Sequence, residues 1–235
     1  MIGFYDYTVW LTYLSMLSGT AGIMLCLNGI GHPYIGMFFL MFSGLCDAFD
    51  GKVARTKKNR TETMKKFGIQ IDSLADLICF GVLPACIGIA MMRSSISYET
   101  LMEFRFLKLV KKPTVVVVIL TVIAVFYVLA ALIRLAYFNV TEEERQETEG
   151  GVRKTYVGLP VTSSALIFPT ILILHIFLSV DLTFLYFLFL IIIGFLFISE
   201  IQVRKPKTKD IILMIIIGLI EAAILVFVLV FLKRK

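Results

Sequence analysis

Residues 46–76 read CDAFDGKVARTKKNRTETMKKFGIQIDSLAD, and this stretch joins two segments that are otherwise strongly apolar. It places four carboxylates within or at the ends of those segments: Asp47, Asp50, Asp72 and Asp76. One aspartate at the centre of a membrane helix costs about 2.5 to 3.5 kcal/mol on insertion scales, so four unpaired aspartates would cost roughly 10 kcal/mol. The stretch therefore needs a compensating partner, and divalent cations are the obvious one.

The apolar segments on both sides of this stretch predict an all-α integral membrane protein. Hydrophobic residues make up 59% of the 235-residue chain and charged residues only 17%. Seven windows are apolar over about 20 residues, long enough to cross a bilayer core of roughly 30 Å. They cover approximately residues 7–27, 33–55, 69–92, 113–138, 157–178, 182–199 and 211–232. We expect a polytopic bundle of about seven transmembrane helices (six to eight) in one domain over residues 1–235, with a catalytic hairpin at about 33–92.

The basic residues predict how the chain is oriented in the membrane. The net charge is +6, and two connectors, residues 57–66 and 204–209, are rich in lysine and arginine. Under the positive-inside rule both lie on the cytoplasmic side. The connector at 93–112 also carries five basic residues but would lie on the opposite side, so it is an exception to the positive-inside rule. The spacing of its apolar residues suits an amphipathic helix lying in the interface, and a plain solvated connector is the alternative. We expect a cell-membrane protein whose four aspartates face the cytoplasm.

The remaining polar segments carry no sign of a second domain. The longest runs over residues 139–156, and we expect a loop there. Its composition, including Gly150 and Gly151, permits a mobile gate over a nearby site; the alternative is a merely solvated connector. The first apolar window lacks a basic leader and a cleavage site, so we expect it to be retained. The four cysteines lack ligand spacing and predict packing roles: Cys26, Cys46, Cys79 and Cys86. His32 and His175 are likewise isolated, and we assign them no chemistry.

Helical spacing places the first two aspartates on one face. Asp47, Asp50, Gly51 and Ala54 stand at offsets of 0, 3, 4 and 7 in the sequence. A helix turning about 100° per residue brings such offsets together. The two small residues leave room for a ligand against the backbone, and Arg55 is placed to contact phosphate.

The second half of the stretch repeats this arrangement, because Gly68, Asp72 and Asp76 recur every four residues. Carboxylate oxygens are suitable ligands for Mg²⁺, Mn²⁺ or Ca²⁺, while the lack of nearby histidine or paired cysteine argues against zinc. Two such cations would neutralise a pyrophosphate and stabilise attack at phosphorus. The surplus carboxylate is available as a general base, and Asp76, the deepest from the connector, is the candidate.

The pattern Asp47-x-x-Asp50-Gly51-x-x-Ala54-Arg55, then Gly68-x-x-x-Asp72-x-x-x-Asp76, resembles the signature of the CDP-alcohol phosphotransferase family. That family is integral to the membrane and transfers a phosphatidyl-type group from a CDP-linked donor to an alcohol, releasing CMP. The resemblance implies that the four aspartates hold the metals, with Asp76 as base. It also implies a CDP site made of Asp47, Asp50, Gly51, Ala54, Arg55, Gly68 and Asp72. Residues 56–67 form a longer connector than is usual in the family.

Three further segments, residues 72–85, 130–140 and 156–162, resemble the phosphatidylserine synthase branch of that family. This resemblance implies L-serine as acceptor, CDP-diacylglycerol or, in an archaeal source, CDP-archaeol as donor, and a homodimer. The predicted acceptor pocket consists of Arg134, Asn139, Arg153 and Tyr156. Arg134, near the cytoplasmic end of a membrane span, can bind the serine carboxylate through two parallel hydrogen bonds, or Arg153 and Lys154 make the carboxylate or phosphate contacts instead. Alternatively, Arg134 snorkels to lipid phosphates or pairs with an acidic residue, and Tyr156 anchors the chain at the interface.

Two rival functions remain open at the level of sequence. The same chemistry can serve glycerol phosphate, inositol phosphate or inositol as acceptor, although phosphorylated acceptors demand a denser cationic pocket. A divalent-cation transporter would use the aspartates as a permeation site, but it does not explain Gly51, Ala54 and Arg55 at their spacing. Glu221, inside the last apolar window, predicts a hydrogen bond between helices or subunits. We expect no nucleic-acid partner.

Overall fold

The computed structural model describes residues 2–28, 33–94, 113–148, 155–178 and 181–227. In these ranges the chain forms eight α-helices, and a π-helical segment (Leu77–Val82) joins the third to the fourth in one rod. The seven resulting rods each coincide with one predicted apolar window, which confirms the all-α prediction. The helices are α1 (Trp10–Leu27), α2 (Pro33–Ala54), α3 (Glu62–Asp76), α4 (Leu83–Ser94), α5 (Pro113–Thr148), α6 (Ser164–Leu178), α7 (Thr183–Phe197) and α8 (Thr208–Phe227).

Most of these rods are long and apolar enough to cross a membrane, so the chain is a multi-pass membrane protein. Five described rods meet that criterion: α1, the continuous α3–α4 rod, α5, α6 together with the 3-10 turn before it (Val161–Leu178), and α8. The apolar helix α7 is shorter. Helix α2 has 22 residues, but Asp47 and Asp50 lower its mean hydropathy. Helix α2 thus contributes two acidic groups to the predicted site, and the α3–α4 rod contributes two more, Asp72 and Asp76.

Small and hydroxylic residues hold α1 and α2 together beside that site. The Ser43 hydroxyl donates to the Ser15 carbonyl at 3.0 Å, and the Ser15 hydroxyl donates back to the Ser43 carbonyl at 3.3 Å. A Cβ placed on Gly19 would lie 2.5 Å from the Cys79 sulfur of the π-helical segment. Close approach and interhelical hydrogen bonds are the usual means of joining helices in lipid. Ser43 lies one turn before Asp47, so this contact supports the carboxylates.

The π-helical segment follows Asp76 directly and has a chemical cause. Pro84 lacks a backbone N–H and cannot bond the carbonyl of Phe80 four residues earlier. The Tyr127 hydroxyl of α5 donates to that carbonyl instead, at 2.7 Å, and the Tyr186 hydroxyl of α7 donates to the Pro84 carbonyl at 2.8 Å. Two buried tyrosines thus hold the irregular segment beneath the aspartates.

The polar stretch after residue 138 corrects the sequence prediction of a loop. Helix α5 continues to Thr148, because residues 141–148 (TEEERQET) are rich in strong helix formers. The Arg145 guanidinium also bonds Glu142 at 2.7 Å one turn away. Residues 155–157 are likewise a strand rather than a loop. Residues 149–154 lie outside the described residues, as does the predicted interfacial segment from 95 to 112.

A two-stranded antiparallel sheet ties the segment before α6 to the connector after α7. Strand β1 (Thr155–Val157) pairs with β2 (Gln202–Arg204), and Tyr156 lies opposite Val203. The chain then turns at Gly158, whose φ is +74°. A Cβ there would lie 2.5 Å from the Phe197 carbonyl oxygen, so only glycine fits this turn without strain.

Candidate active site

Three of the four predicted carboxylates meet between α2 and α3. Asp47, Asp50 and Asp72 each offer an oxygen, and these oxygens all lie within 4.8 Å of one another. Asp50 is buried, with 8% of its surface exposed, and the other two are partly buried. Three hard oxygen donors at this spacing fit a divalent cation such as Mg²⁺ or Mn²⁺. The cluster is thus consistent with a metal site.

Asp76 lies beside that cluster rather than in it. It follows Asp72 by one helical turn, and its carboxyl is within hydrogen-bonding reach of the Asp47 carboxyl. In the same way, the Asp72 carboxyl is within hydrogen-bonding reach of the Asp50 carboxyl. The aspartates of α2 and α3 therefore face one another in two pairs. Because Coulomb repulsion between acids this close is strong in a low-dielectric setting, bound cations would stabilise all four together.

Thr12 of α1 holds one of the clustered carboxylates, and no feature of the sequence pattern predicts this contact. Its hydroxyl donates to Asp50 Oδ2 at 3.1 Å, and only 5% of the Thr12 surface is exposed. Partners of this kind orient a ligand carboxylate and leave its other oxygen available. The residue precedes Asp50 by 38 positions, so no spacing rule could have connected them.

The two glycines of the sequence pattern are each covered by an arginine of the connector between α2 and α3. A Cβ on Gly51 would lie 3.4 Å from Arg55 Nη1, and a Cβ on Gly68 would lie 2.7 Å from Arg60 Nη2. Arg55 occupies the place predicted for a phosphate contact, one residue past Ala54 at the end of α2. Arg60 was not a predicted site residue.

Half of the connector at residues 56–67 is helical. Thr61 caps α3, accepting a hydrogen bond from the Met64 amide at 3.2 Å. The helix therefore begins at Glu62, six residues before Gly68, so residues 62–67 form its first turns. The four-residue spacing from Gly68 to Asp76 stays helical and is unaffected.

Arg134 and Tyr156, two residues of the predicted acceptor pocket, belong to one stack of cations and aromatic rings. The buried Arg134 guanidinium lies 5.1 Å from the centre of the Phe138 ring. Phe138 meets the Tyr156 ring edge to face at 5.7 Å. The Lys205 ammonium, from the connector after β2, lies 5.8 Å from the Tyr156 ring. Strand pairing thus brings a basic connector next to the predicted acceptor residues.

The other two predicted acceptor residues differ in their placement. The Asn139 side-chain amide donates to the Ser73 hydroxyl at 2.8 Å, which fixes α5 against the helix segment between Asp72 and Asp76. An exposed ion pair of 3.3 Å between Lys66 and Glu143 adds to this contact. Arg153 lies outside the described residues.

An apolar cavity of about 430 Å³ lies between α2, α6 and α8, and Asp47 is the one of the four aspartates that lines it. Asp47 and Gly44 line it from α2, and Pro206, Met214 and Gly218 line it from the last helix and its preceding connector. The cavity is therefore apolar over most of its wall and acidic at one point.

Glu221 makes the predicted bond between helices behind this cavity. It is buried in α8 and accepts a hydrogen bond of 2.6 Å from the Thr170 hydroxyl of α6. Gly218 lies one turn earlier, and a Cβ there would be 3.4 Å from Leu166. This contact holds together two walls of the cavity.

Comparisons with known proteins agree with this geometry. The family model described as CDP-alcohol phosphatidyltransferase matches residues 8–233. The chain is 36% identical to a Saccharomyces cerevisiae CDP-diacylglycerol–serine O-phosphatidyltransferase, over 65% of this chain and 49% of that protein. It is 31% identical to an archaetidylserine synthase of Methanothermobacter thermautotrophicus, over 65% and 52%, and 27% identical to a Helicobacter pylori serine phosphatidyltransferase, over 81% and 68%. The chain spans about half the length of the first two relatives.

Proposed function

The chain belongs to the CDP-alcohol phosphatidyltransferase family, and from this premise we propose that it transfers the phosphatidyl or archaetidyl group of a CDP-linked lipid to L-serine, releasing CMP. The observation that carries this proposal is the cluster of Asp47, Asp50 and Asp72, with Asp76 beside it, between two membrane helices. Relatives that are named serine phosphatidyltransferases or archaetidylserine synthase support serine as the acceptor.

The apolar cavity supports a lipid-linked donor. Its wall is formed by α2, α6 and α8, and Asp47 lies at its boundary. A donor whose chain occupies this cavity has its head group close to the carboxylates. Arg55, at the end of α2, is then placed to bind the diphosphate, since a guanidinium matches the geometry of phosphate oxygens.

The metal proposal follows from the donor set. Asp47, Asp50 and Asp72 would hold a divalent cation, and Asp76 is near enough to Asp47 to contribute to a second. Bound Mg²⁺ or Mn²⁺ would neutralise the diphosphate and stabilise the charge that builds up on the departing CMP. Thr12 would keep Asp50 in the orientation that this role requires.

The proposed reaction is a direct displacement at phosphorus. Asp76 accepts the proton of the serine hydroxyl. The serine oxygen then forms a bond to the lipid-linked phosphorus while the bond from that phosphorus to the CMP oxygen breaks. Arg134 binds the serine carboxylate and orients the hydroxyl. Its helix, α5, packs against the π-helical segment that follows Asp76.

The proposal extends to the setting of the enzyme. We place it in the cell membrane with the carboxylates facing the cytoplasm, as the basic connectors indicate. The hairpin at about 33–92 is the catalytic unit of the domain, and a homodimer is the assembly that the family resemblance favours.

An acceptor panel tests the proposal. The purified protein receives CDP-diacylglycerol or CDP-archaeol with L-serine, glycerol phosphate, inositol phosphate or inositol, in Mg²⁺, Mn²⁺ or Ca²⁺, and CMP release is measured. We expect release with serine and none in the Asp76→Asn variant. Release with glycerol phosphate but not with serine would overturn the assignment of the acceptor. Ion flux into proteoliposomes without any CDP-lipid would favour a cation transporter instead.

A further inference from the structure

Arg60 joins the two helices that carry the carboxylates. Its Nη1 donates to the Ala54 carbonyl at 3.5 Å, and its Nη2 donates to the Met64 carbonyl at 3.3 Å. Ala54 is the last residue of α2, where carbonyls lack partners within the helix. Met64 lies near the start of α3. A cation at the end of α2 is also stabilised by the helix dipole.

The same guanidinium occupies the space above Gly68. A Cβ at that position would lie 2.7 Å from Arg60 Nη2, closer than a real carbon tolerates. The obstacle is the far end of a flexible side chain, so an added methyl group would displace Arg60 and leave the backbone in place. The Arg60 Nε is buried with no hydrogen-bond partner among the described residues, so this guanidinium bonds the described residues through its two Nη groups, to the Ala54 and Met64 carbonyls.

These contacts lie close to the carboxylate cluster. Ala54 follows Asp50 by one helical turn, and Gly68 precedes Asp72 by one turn, a separation of about 6 Å along each helix. A link between these two points therefore sets how far apart the polar ends of α2 and α3 lie. That distance in turn affects whether Asp50 and Asp72 can bind one cation.

We infer that Arg60 is a positioning residue for the carboxylate site, and that position 68 requires glycine because the Arg60 guanidinium lies on it. This inference deepens the proposed function, on which its catalytic readout depends. It differs from the role that the family resemblance implies for Gly68, namely direct binding of the CDP group. The two roles make opposite predictions when Arg60 is removed.

A double-mutant cycle separates the two roles. The variants are Arg60→Ala, Gly68→Ala and both together, with Arg60→Lys as the conservative change. Lys58→Ala is the matched control, because Lys58 is an exposed cation of the same connector. Each protein is purified in detergent, and Mn²⁺ affinity is measured by electron paramagnetic resonance in the absence of nucleotide, lipid and serine. Thermal unfolding and the kcat and KM of CMP release complete the set.

We expect Arg60→Ala and Gly68→Ala each to weaken Mn²⁺ binding about 10-fold, the scale seen when a partner of a metal ligand is lost. The kcat falls by a similar factor while the KM for serine stays constant, and thermal unfolding changes little. The double variant has the same Mn²⁺ affinity and kcat as either single variant, because each single substitution already removes the link that Arg60 makes between α2 and α3. Arg60→Lys retains part of the affinity, and Lys58→Ala retains all of it.

Two results would overturn the inference. If the losses from Arg60→Ala and Gly68→Ala multiply in the double variant, Gly68 acts independently of Arg60. If Mn²⁺ affinity is unchanged in Arg60→Ala, or falls equally in Lys58→Ala, Arg60 does not position the ligands. Mn²⁺ affinity is measured without donor or acceptor, so a failure of the serine assignment in the acceptor panel would leave this test intact.

Discussion

The Thr12 hydroxyl of α1 lies 3.1 Å from Oδ2 of Asp50 and donates a hydrogen bond to it. A helix that carries none of the four aspartates therefore orients one of them. We expect Thr12→Val, which keeps the shape and removes the donor, to weaken Mn²⁺ affinity about 10-fold. Thr121→Val is the control, since the hydrogen bond that the Thr121 hydroxyl makes among the described residues stays within its own helix, to Val117. Equal affinities in the two variants would show that the hydrogen bond has no role in metal binding.

Removing the proposed base should separate chemistry from metal binding. Asp76 lies outside the group of three carboxylates whose oxygens are mutually within 4.8 Å. We expect Asp76→Asn to lower the kcat of CMP release by about 10²- to 10⁴-fold, the usual contribution of a general base, while the group of Asp47, Asp50 and Asp72 still binds one Mn²⁺. Asp50→Asn should lose both CMP release and Mn²⁺ binding. If Asp76→Asn keeps most of its activity, the base must be another group.

Arg134 should determine the affinity for the acceptor. Replacement by lysine keeps the charge but loses the paired hydrogen bonds to a carboxylate, so the KM for serine should rise about 10-fold or more while the KM for the CDP-lipid stays constant. Arg145→Lys is the control on the same helix, because Arg145 pairs with Glu142. A change in the KM of the lipid alone would assign Arg134 to the donor.

The segment before α1 should lose stability in strong acid. Hydrogen bonds from the Thr8 hydroxyl and Lys57, and from the Thr8 amide, lower the pKa of Asp6 from 3.8 to about 2. A lowered pKa means that folding favours the carboxylate, so this contribution is complete above pH 3.8 and is lost as the pH falls towards 2. Asp6→Asn should therefore unfold at a lower temperature than the parent at pH 7.

The difference between Asp6→Asn and the parent should shrink as the pH falls below 3.8, and thermal unfolding in detergent measures it. The ion pair with Lys57 spans 2.9 Å and joins this segment to the connector after α2. A difference that stays constant down to pH 2.5 would mean that the Asp6 carboxylate does not contribute through its charge.

Local periodicity was enough to predict the seven apolar rods and the two aspartate faces. Offsets of three, four and seven residues define one side of any helix, so Asp47, Asp50, Gly51 and Ala54 were placed together without a structure. The same reasoning paired Gly68 with Asp72 and Asp76. It was wrong about residues 141–148, because polarity suggested a loop where the helix-forming side chains of TEEERQET continue α5.

Contacts between distant helices were decided only by the tertiary structure. The sequence determined that four carboxylates lie on two helix faces, because that follows from the geometry of one helix at a time. Packing determined that Thr12 bonds Asp50, that Arg60 covers Gly68, and that Asp76 lies beside the three-carboxylate group rather than within it. These relationships depend on how α1, α2 and α3 pack against one another, and the spacing of residues along the chain does not specify that packing.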